Sequence, residues 1–442
     1  MKTRSNDPLI THLTQFKRRF IMICLITVFF VLSPMIIMYT AGLRFNFQTK
    51  KLESTGALNI DIEPKNADIL INDIRITQSM PIRLTSLVPG TYRVSISQTG
   101  FHSLKKDFSV HSGETTYLKD TNLFKVTEPQ KIARLDNPIT KLWLNDSTIP
   151  LIYGYYNVSS TQFMFKISGS DYSETPLASE ANFSCSASKR YCAIFTKAEN
   201  TLTIIDTLNS ANQRIVTVAS SSNQLLWNHF YKSPLLFIGT NKKITQLNSN
   251  YSLTELAARN ASIWFVADNQ TAWIYSSGTI QNLNDPKQNF SFSHNQSLEE
   301  IIDIRNDFAL LKTSKDIFLI KNPGQTNQTE KNIGAGKWEY HAPTKEWRLV
   351  SPWEITSIYN NGASTVLYRS DSTIQSAHSL DKNGLILIVA NNKLIAFNPG
   401  YYLSQELAEF ETIEAVDTDE NERIIAVAGT WRGERGIYTL AY

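Results

Sequence analysis

An apolar strand, a short polar or glycine turn and a second apolar strand recur through the last three hundred or so residues at a spacing of about forty. The unit appears as "PLIYGYYNVSSTQFMFKI", "RYCAIFTKAENTLTIIDT", "PLLFIGTNKKITQL" and "TAWIYSSGTIQNL", then as "DFALLKTSKDIFLIKN", "EWRLVSPWEITSIY", "GLILIVANNKLIAFNP" and "RIIAVAGTWRGERGIYTLA". These hairpins begin near Leu151, Tyr191, Leu235, Thr271, Phe308, Trp347, Leu385 and Ile424. A lone hairpin cannot bury both its faces, so a run of them must stack into a common core. Weaker apolar stretches flank each hairpin and can supply two more strands. Four strands at this spacing predict the blades of a β-propeller. Eight hairpins predict eight blades, with seven as the alternative if one is a loop excursion. The last repeat ends after its third strand at Tyr442, and the missing outer strand is expected from "KIARLD", Lys131 to Asp136. That closure joins the two ends of the ring and leaves no open edge. It places the propeller at residues 124–442.

The opposite end of the chain is governed by a different constraint. From Phe20 to Leu43 no residue is charged, "FIMICLITVFFVLSPMIIMYTAGL". About twenty apolar residues cross a bilayer as a helix, and Pro34 is tolerated there. The run is too long for the apolar region of a cleavable signal and lacks a small-residue cleavage site. Cys24 follows the bulky Ile23 near the start of the run, so it reads as a lipid-facing or packed thiol, not a lipidation site. Lys2, Arg4, Lys17, Arg18 and Arg19 precede the span, while Arg44, Lys50 and Lys51 follow it. The positive-inside rule then predicts a cytoplasmic tail at 1–19, a single-pass signal anchor at 20–43 and everything after it outside the membrane.

Beyond a polar connector at 44–56, alternation becomes clean. Leu58, Ile60 and Ile62 share one strand face; Asn59, Asp61 and Glu63 share the other. Ile69 and Ile71 alternate before the turn signal Asn72-Asp73. Pro89-Gly90 suits a type II turn with glycine at positive φ. Tyr92, Val94 and Ile96 form the next apolar face, Gly100 breaks the strand, Phe101 returns to the core, and Phe108 and Val110 start another strand. The order of these elements resembles the PEGA domain family. The resemblance lies in Pro64-Lys65-Asn66-Ala67, in Leu87, Pro89-Gly90, Tyr92 and Val94, and in Gly100-Phe101. Asn66 and Asp73 stand where the family has glycine, and Met80-Pro81 where it has Thr-Pro. Asn and Asp tolerate the left-handed conformation better than other side chains, so the turns survive. The resemblance covers 57–123 and implies a small β-sandwich of the bacterial or archaeal cell envelope, serving surface binding or spacing. It brings no catalytic residues with it.

The charge balance of +3 is far too small and dispersed for nucleic acid, which needs a concentrated basic stripe. Cys185 and Cys192 in "FSCSASKRYCAIF" flank a six-residue turn between strands. Outside the membrane they could form a disulfide, with two packed thiols as the alternative. His12, His102, His111, His229, His294, His341 and His378 stand singly, with no metal-ligand spacing, and no cofactor is implied. Nucleophile-elbow and phosphate-loop motifs are lacking. Asp417, Asp419, Glu420 and Glu422 read as a solvated charged turn, and Trp338, Trp347 and Trp353 as blade packing. Asn157, Asn182, Asn260 and Asn289 head glycosylation triplets with no host expected to use them. The loop "GTWRGERG" displays Trp431, Arg432 and Arg435 between glycines. Aromatic and guanidinium groups suit sugars, carboxylates or protein surfaces, whereas a ring-closing hairpin is the structural alternative.

Together these features predict a mainly β, membrane-anchored binding or scaffold protein of the bacterial envelope, non-catalytic, with the propeller as its recognition surface. Its expected partners are the membrane, cell-wall glycan or envelope proteins. The alternative is a polysaccharide or peptide hydrolase or lyase with its site in the propeller channel. Propeller sites assemble from separate blades, so the lack of a linear motif does not exclude it.

Overall fold

The computed structural model describes residues 15–46, 50–145, 151–158, 161–169, 171–177, 181–186, 188–209, 213–219, 222–228, 235–240, 242–259, 261–419 and 423–442. His12, His229, Asn260, Glu420 and Glu422 lie outside them. The chain divides into two compact units at Leu123/Phe124.

In the first unit a helix spans Gln15–Thr40. It is long and apolar enough to cross a bilayer, and none of its apolar stretch is covered by protein. The span ends earlier than the charge-free run. Gly42 at φ +78° leaves the helix, its N–H donating to the Tyr39 carbonyl at 3.2 Å. Leu43 already belongs to a strand, Leu43–Asn46, paired antiparallel with Lys51–Ser54. The segment expected as a connector at 44–56 is therefore largely a hairpin.

Two sheets follow. Gly56–Glu63 is the middle strand of three, antiparallel to Ile82–Leu87 and parallel to Thr115–Asn122. The other sheet orders Ile74–Ile76, Asp68–Ile71, Gly90–Ser97 and Leu104–Val110. The alternation sends Leu58, Ile60, Ile62 and Leu118 from one sheet, and Ile69, Val94, Ile96 and Phe108 from the other, into a small sandwich core. Asn72 and Asp73 both take positive φ, +49° and +65°, between paired strands, the geometry their short polar side chains permit. The Pro89-Gly90 turn differs from expectation. Gly90 is already paired with Val110 at φ +159°, close to extended, and the left-handed residue is Ser86 at φ +61°.

The second unit contains eight four-stranded antiparallel sheets among the described residues. We number them as blades 1 to 8: 139–177, 181–217, 222–257, 263–291, 298–334, 337–369, 374–409 and 412–441. The eight hairpins of the sequence are the second and third strand of each blade. Blade 8 takes its fourth strand from Gln130–Arg134, which pairs antiparallel with Glu434–Ala441. Gly436 is required there: a Cβ would lie 2.5 Å from the Ala133 carbonyl oxygen.

Apolar clusters join every blade to the next around the full ring. Trp143 meets Phe183 between blades 1 and 2, at 4.6 Å between ring centroids. Phe195 and Trp227 share a cluster at the next joint, as do Phe237 and Trp264 at the one after, and Phe292, just past blade 4, lies 5.6 Å from Phe318 of blade 5 between ring centroids. Phe308 with Trp347, Ile355 with Ile386, and Leu387 with Val427 continue the series. Ile152 with Ile437 joins blade 1 to blade 8. Each large side chain buried at a joint contributes roughly 1.5–3 kcal/mol.

Buried polar groups pin some of the same joints. Trp347 Nε1 of blade 6 donates to Asp303 Oδ2 of blade 5 at 2.7 Å, and Arg305 Nε donates to the same oxygen at 2.7 Å. Arg348 Nη1 of blade 6 donates to Ser379 Oγ of blade 7, whose carbonyl accepts from Thr418 Oγ1 of blade 8. Burial pushes the Asp303 carboxyl up to about 6 from its ordinary 3.8, against the opposing pull of Arg305 and Trp347. A carboxyl raised in the fold favours the folded state most when it is protonated. Its contribution is therefore full below about pH 4 and lost as pH rises through 6. Denaturant titrations from pH 4 to 6 are expected to show a falling component of stability that Asp303→Asn removes; an unchanged slope in the variant contradicts this assignment.

Candidate binding site in the central channel

In each blade the first strand stands at one edge of its sheet, and first strands of neighbouring blades approach one another. They therefore line the axis of the ring. First strands of blades 1, 6, 7 and 8, with the first hairpin loop of blade 2, surround a cavity of about 690 Å³. Lys337 is the first residue of its strand, Gln375 the second and Lys141 the third. His378 and Asp417 stand toward the far ends of theirs.

Asp417 organises one side of this cavity. Its carboxylate accepts from Lys189 Nζ at 2.7 Å and from the Leu144 backbone N–H at 2.7 Å, tying blade 8 to blades 2 and 1. Lys189 Nζ also donates to the Thr418 carbonyl at 2.9 Å. The reading of Asp417 and Asp419 as a solvated turn is thus overturned. Both are buried in the first strand of blade 8, at 7% and 4% exposure. No local signal marked them, because the lysine that compensates Asp417 lies 228 residues earlier.

The remaining lysines are placed differently. Lys141 lies over the Trp143 ring at 4.9 Å, and Lys337 Nζ donates to the Gln375 carbonyl at 3.3 Å. Neither has a carboxylate within ion-pair distance among the described residues. Burial pulls the Lys141 ammonium down, and Asp417 opposes it. Burial likewise pulls His378 down, with Glu339 and Asp417 opposing, which favours the neutral ring at pH 7. His378 Nε2 lies 3.1 Å from Ser376 Oγ, and Glu339 Oε1 accepts from the Ser379 N–H and Oγ, each at 3.1 Å. Half-buried Trp338 and Tyr340 add aromatic surface to the wall.

The residues singled out in the sequence fall elsewhere. Cys185 and Cys192 face each other directly across the first two strands of blade 2 and are disulfide-bonded, with Cα atoms 4.0 Å apart. Trp431 packs on Phe410 with ring centroids 5.0 Å apart, at the joint of blades 7 and 8. Arg432 pairs with Glu128 at 2.9 Å, and Arg435 with Glu414 at 2.6 Å. Glu414 in turn accepts from the Ile139 N–H at 2.8 Å, so this loop is woven into the ring closure. Of the three tryptophans expected in blade packing, Trp347 is buried and Trp338 packs against the same cluster at the joint of blades 5 and 6, both bordering the channel cavity, whereas Trp353 is 56% exposed. His341 is buried, its ring nitrogens 2.6 Å from Thr344 Oγ1 and 3.1 Å from the Asp381 carbonyl. No group of three His, Cys, Asp or Glu side chains is placed to hold a metal ion among the described residues.

Comparison with known proteins bears on the small sandwich most directly. Residues 55–122 match the family model described as the PEGA domain. A search of curated proteins found no match. Among solved structures, the chain is similar to virginiamycin B lyase from Staphylococcus aureus at 11% identity, over 71% of this chain and 99% of that one, with a TM-score of 0.40. It is also similar to the beta-propeller domain of Cps50 (Swd1) from Myceliophteria thermophila at 9% identity, over 71% of this chain and 100% of that one, with a TM-score of 0.41. Likenesses this distant say nothing about site chemistry; the propeller rests on its own eight sheets.

Two variants test the geometry of the channel wall and of the blade 2 hairpin beside it. Asp417→Ala leaves Lys189 without its carboxylate and is expected to lower stability by about 3 kcal/mol in denaturant unfolding. A change below ~0.5 kcal/mol would show that the pair is no structural pin. Cys185→Ala with Cys192→Ala opens a short covalent loop and is expected to cost ~2–3 kcal/mol by the same measurement. Mass spectrometry of the untreated protein should show no free thiol at either position.

Proposed function

We propose that this chain is a membrane-anchored extracytoplasmic binding or scaffold protein of the cell envelope. The apolar helix tethers it, the PEGA domain serves as a spacer, and the propeller is the recognition surface. The observation that carries this reading is the channel cavity of about 690 Å³, in which Lys141 and Lys337 lack carboxylate partners among the described residues. Ammonium groups left without a carboxylate partner in a cavity of ligand size are recognition chemistry. Placement outside the cytoplasm is supported by Lys17, Arg18 and Arg19 at the N-terminal end of the helix and by the Cys185–Cys192 disulfide, which persists in oxidising compartments. Tethering holds the propeller near other envelope components, so modest affinities suffice. The partners proposed are cell-wall glycan and envelope proteins.

A hydrolase or lyase reading is favoured by one observation: His378 shares the cavity with Glu339 and Asp417. Against it, both Asp417 and Glu339 are engaged by donors that hold the channel wall, which suits a structural role. We therefore favour binding without turnover.

Protease added to intact spheroplasts is expected to degrade the propeller and leave a membrane-protected N-terminal fragment. Complete protection of the propeller, with degradation only after lysis, contradicts the proposed orientation and with it the envelope role.

A further inference from the structure

We propose that the channel cavity binds an anionic sugar, a ring bearing a carboxylate or phosphate. Lys141 and Lys337 would grip the acid group, and Trp338 would offer a surface to the ring. This deepens the binding reading above and rests on it.

Three features of one wall carry the inference. First, the charges are unevenly matched. Lys189 is neutralised by Asp417 at 2.7 Å, and Glu414 by Arg435 at 2.6 Å. Among the described residues Lys141 has no carboxylate within ion-pair distance, with the Trp143 ring at 4.9 Å and Asp417 acting only from further off, and the Lys337 ammonium donates to a backbone carbonyl at 3.3 Å. Glu339 is the one lining carboxylate without a cation, and its Oε1 is held by the Ser379 N–H and Oγ. The wall therefore keeps an excess of positive charge at the end where the strands begin. Second, burial weakens the ammonium of Lys141, so an incoming anion would relieve a cost already present. Third, the polar and apolar groups are mixed as a sugar requires. Half-buried Trp338 borders the cavity from the strand face opposite Lys337, with Lys312 Nζ 5.1 Å from its ring on the blade 5 side, and Gln375 and Thr140 present exposed polar side chains to the same cavity. A flat apolar face, neutral hydrogen-bonding groups and ammonium groups together suit a hydroxylated ring with an acid substituent better than a plain peptide carboxylate.

His378 adds a pH dependence. It is faced by Glu339 and Asp417, which favour its charged form, and by Lys189 and Lys337, which disfavour it. A bound anion would favour the imidazolium, so affinity should strengthen as pH falls below neutrality.

The test uses the full chain in detergent micelles and isothermal calorimetry at low salt. The probes are trigalacturonic acid, its methyl ester, a hexose 6-phosphate and hexaglutamate. The acid trisaccharide is expected to bind at least tenfold more tightly than its methyl ester, which keeps the rings and loses the charge. Whether it or the hexose phosphate binds more tightly identifies the acid group. Lys141→Gln with Lys337→Gln should weaken binding at least tenfold, Lys141→Arg with Lys337→Arg should restore most of it, and Lys242→Gln on the surface should leave it unchanged. Unchanged melting of each variant separates loss of the site from loss of the fold. Equal binding of acid and ester overturns the anionic class while leaving the binding reading intact. Tighter binding of hexaglutamate replaces the sugar with an acidic peptide. Equal binding by the Lys→Gln variant moves the site off the channel, and no binding by any of the acidic probes rejects the proposal. The orientation behind the binding reading is judged separately by spheroplast proteolysis.

Discussion

The antiparallel pairing of Gln130–Arg134 with Glu434–Ala441 ties together two segments some three hundred residues apart. Without it, blade 8 would have three strands and an open edge, and the two ends of the unit would no longer meet in one sheet. Around this seam the structure concentrates further contacts. Lys131 pairs with Glu434, Arg432 with Glu128, and Arg435 with the same Glu414 that holds the Ile139 N–H. The exposed pairs contribute little on their own. Their value is in fixing the register of a strand whose partner comes from the other end of the unit.

Closure makes the channel a fixed object. Once the ring is shut, the first strands of blades 1, 6, 7 and 8 are held at set distances, and their side chains meet whatever their separation in sequence. Asp417 shows this best, since its carboxylate binds a backbone N–H of blade 1 and a lysine of blade 2. Such a cross-blade bond needs both partners in place, so it cannot form in an isolated hairpin. The same rigidity keeps Lys141 and Lys337 from collapsing onto a carboxylate, and neither has one within ion-pair distance among the described residues.

How much of this could be read from the sequence depends on which strand is considered. Second and third strands are covered by neighbouring blades on both faces, so "GLILIVANNKLIAF" and its counterparts are almost continuously apolar and stand out. First strands border the channel and carry polar residues such as Lys141, Glu339 and Asp417, which dilute the pattern and hide the site. Asp417 looked like part of a charged turn because Asp419, Glu420 and Glu422 follow it, and nothing local reveals Lys189 as its partner. The small sandwich was legible in its order of turns, and its match to the PEGA domain rests on residues 55–122. Its hairpin at Leu43–Ser54 was not, since four-residue strands with lysine and glutamate carry no clear alternation. In the sequence the loop of Trp431, Arg432 and Arg435 carries the chemistry of a binding surface, yet its arginines are taken up by carboxylates at the seam.

Under the proposed function the working surface lies inside the channel and not on the outer rim. Lysine acetylation footprinting by mass spectrometry, with and without solubilised envelope polysaccharide, tests this directly. Protection confined to Lys141 and Lys337, with rim lysines such as Lys242 and Lys287 modified equally in both samples, is the result predicted. Protection of the rim lysines with Lys141 and Lys337 unaffected would contradict it.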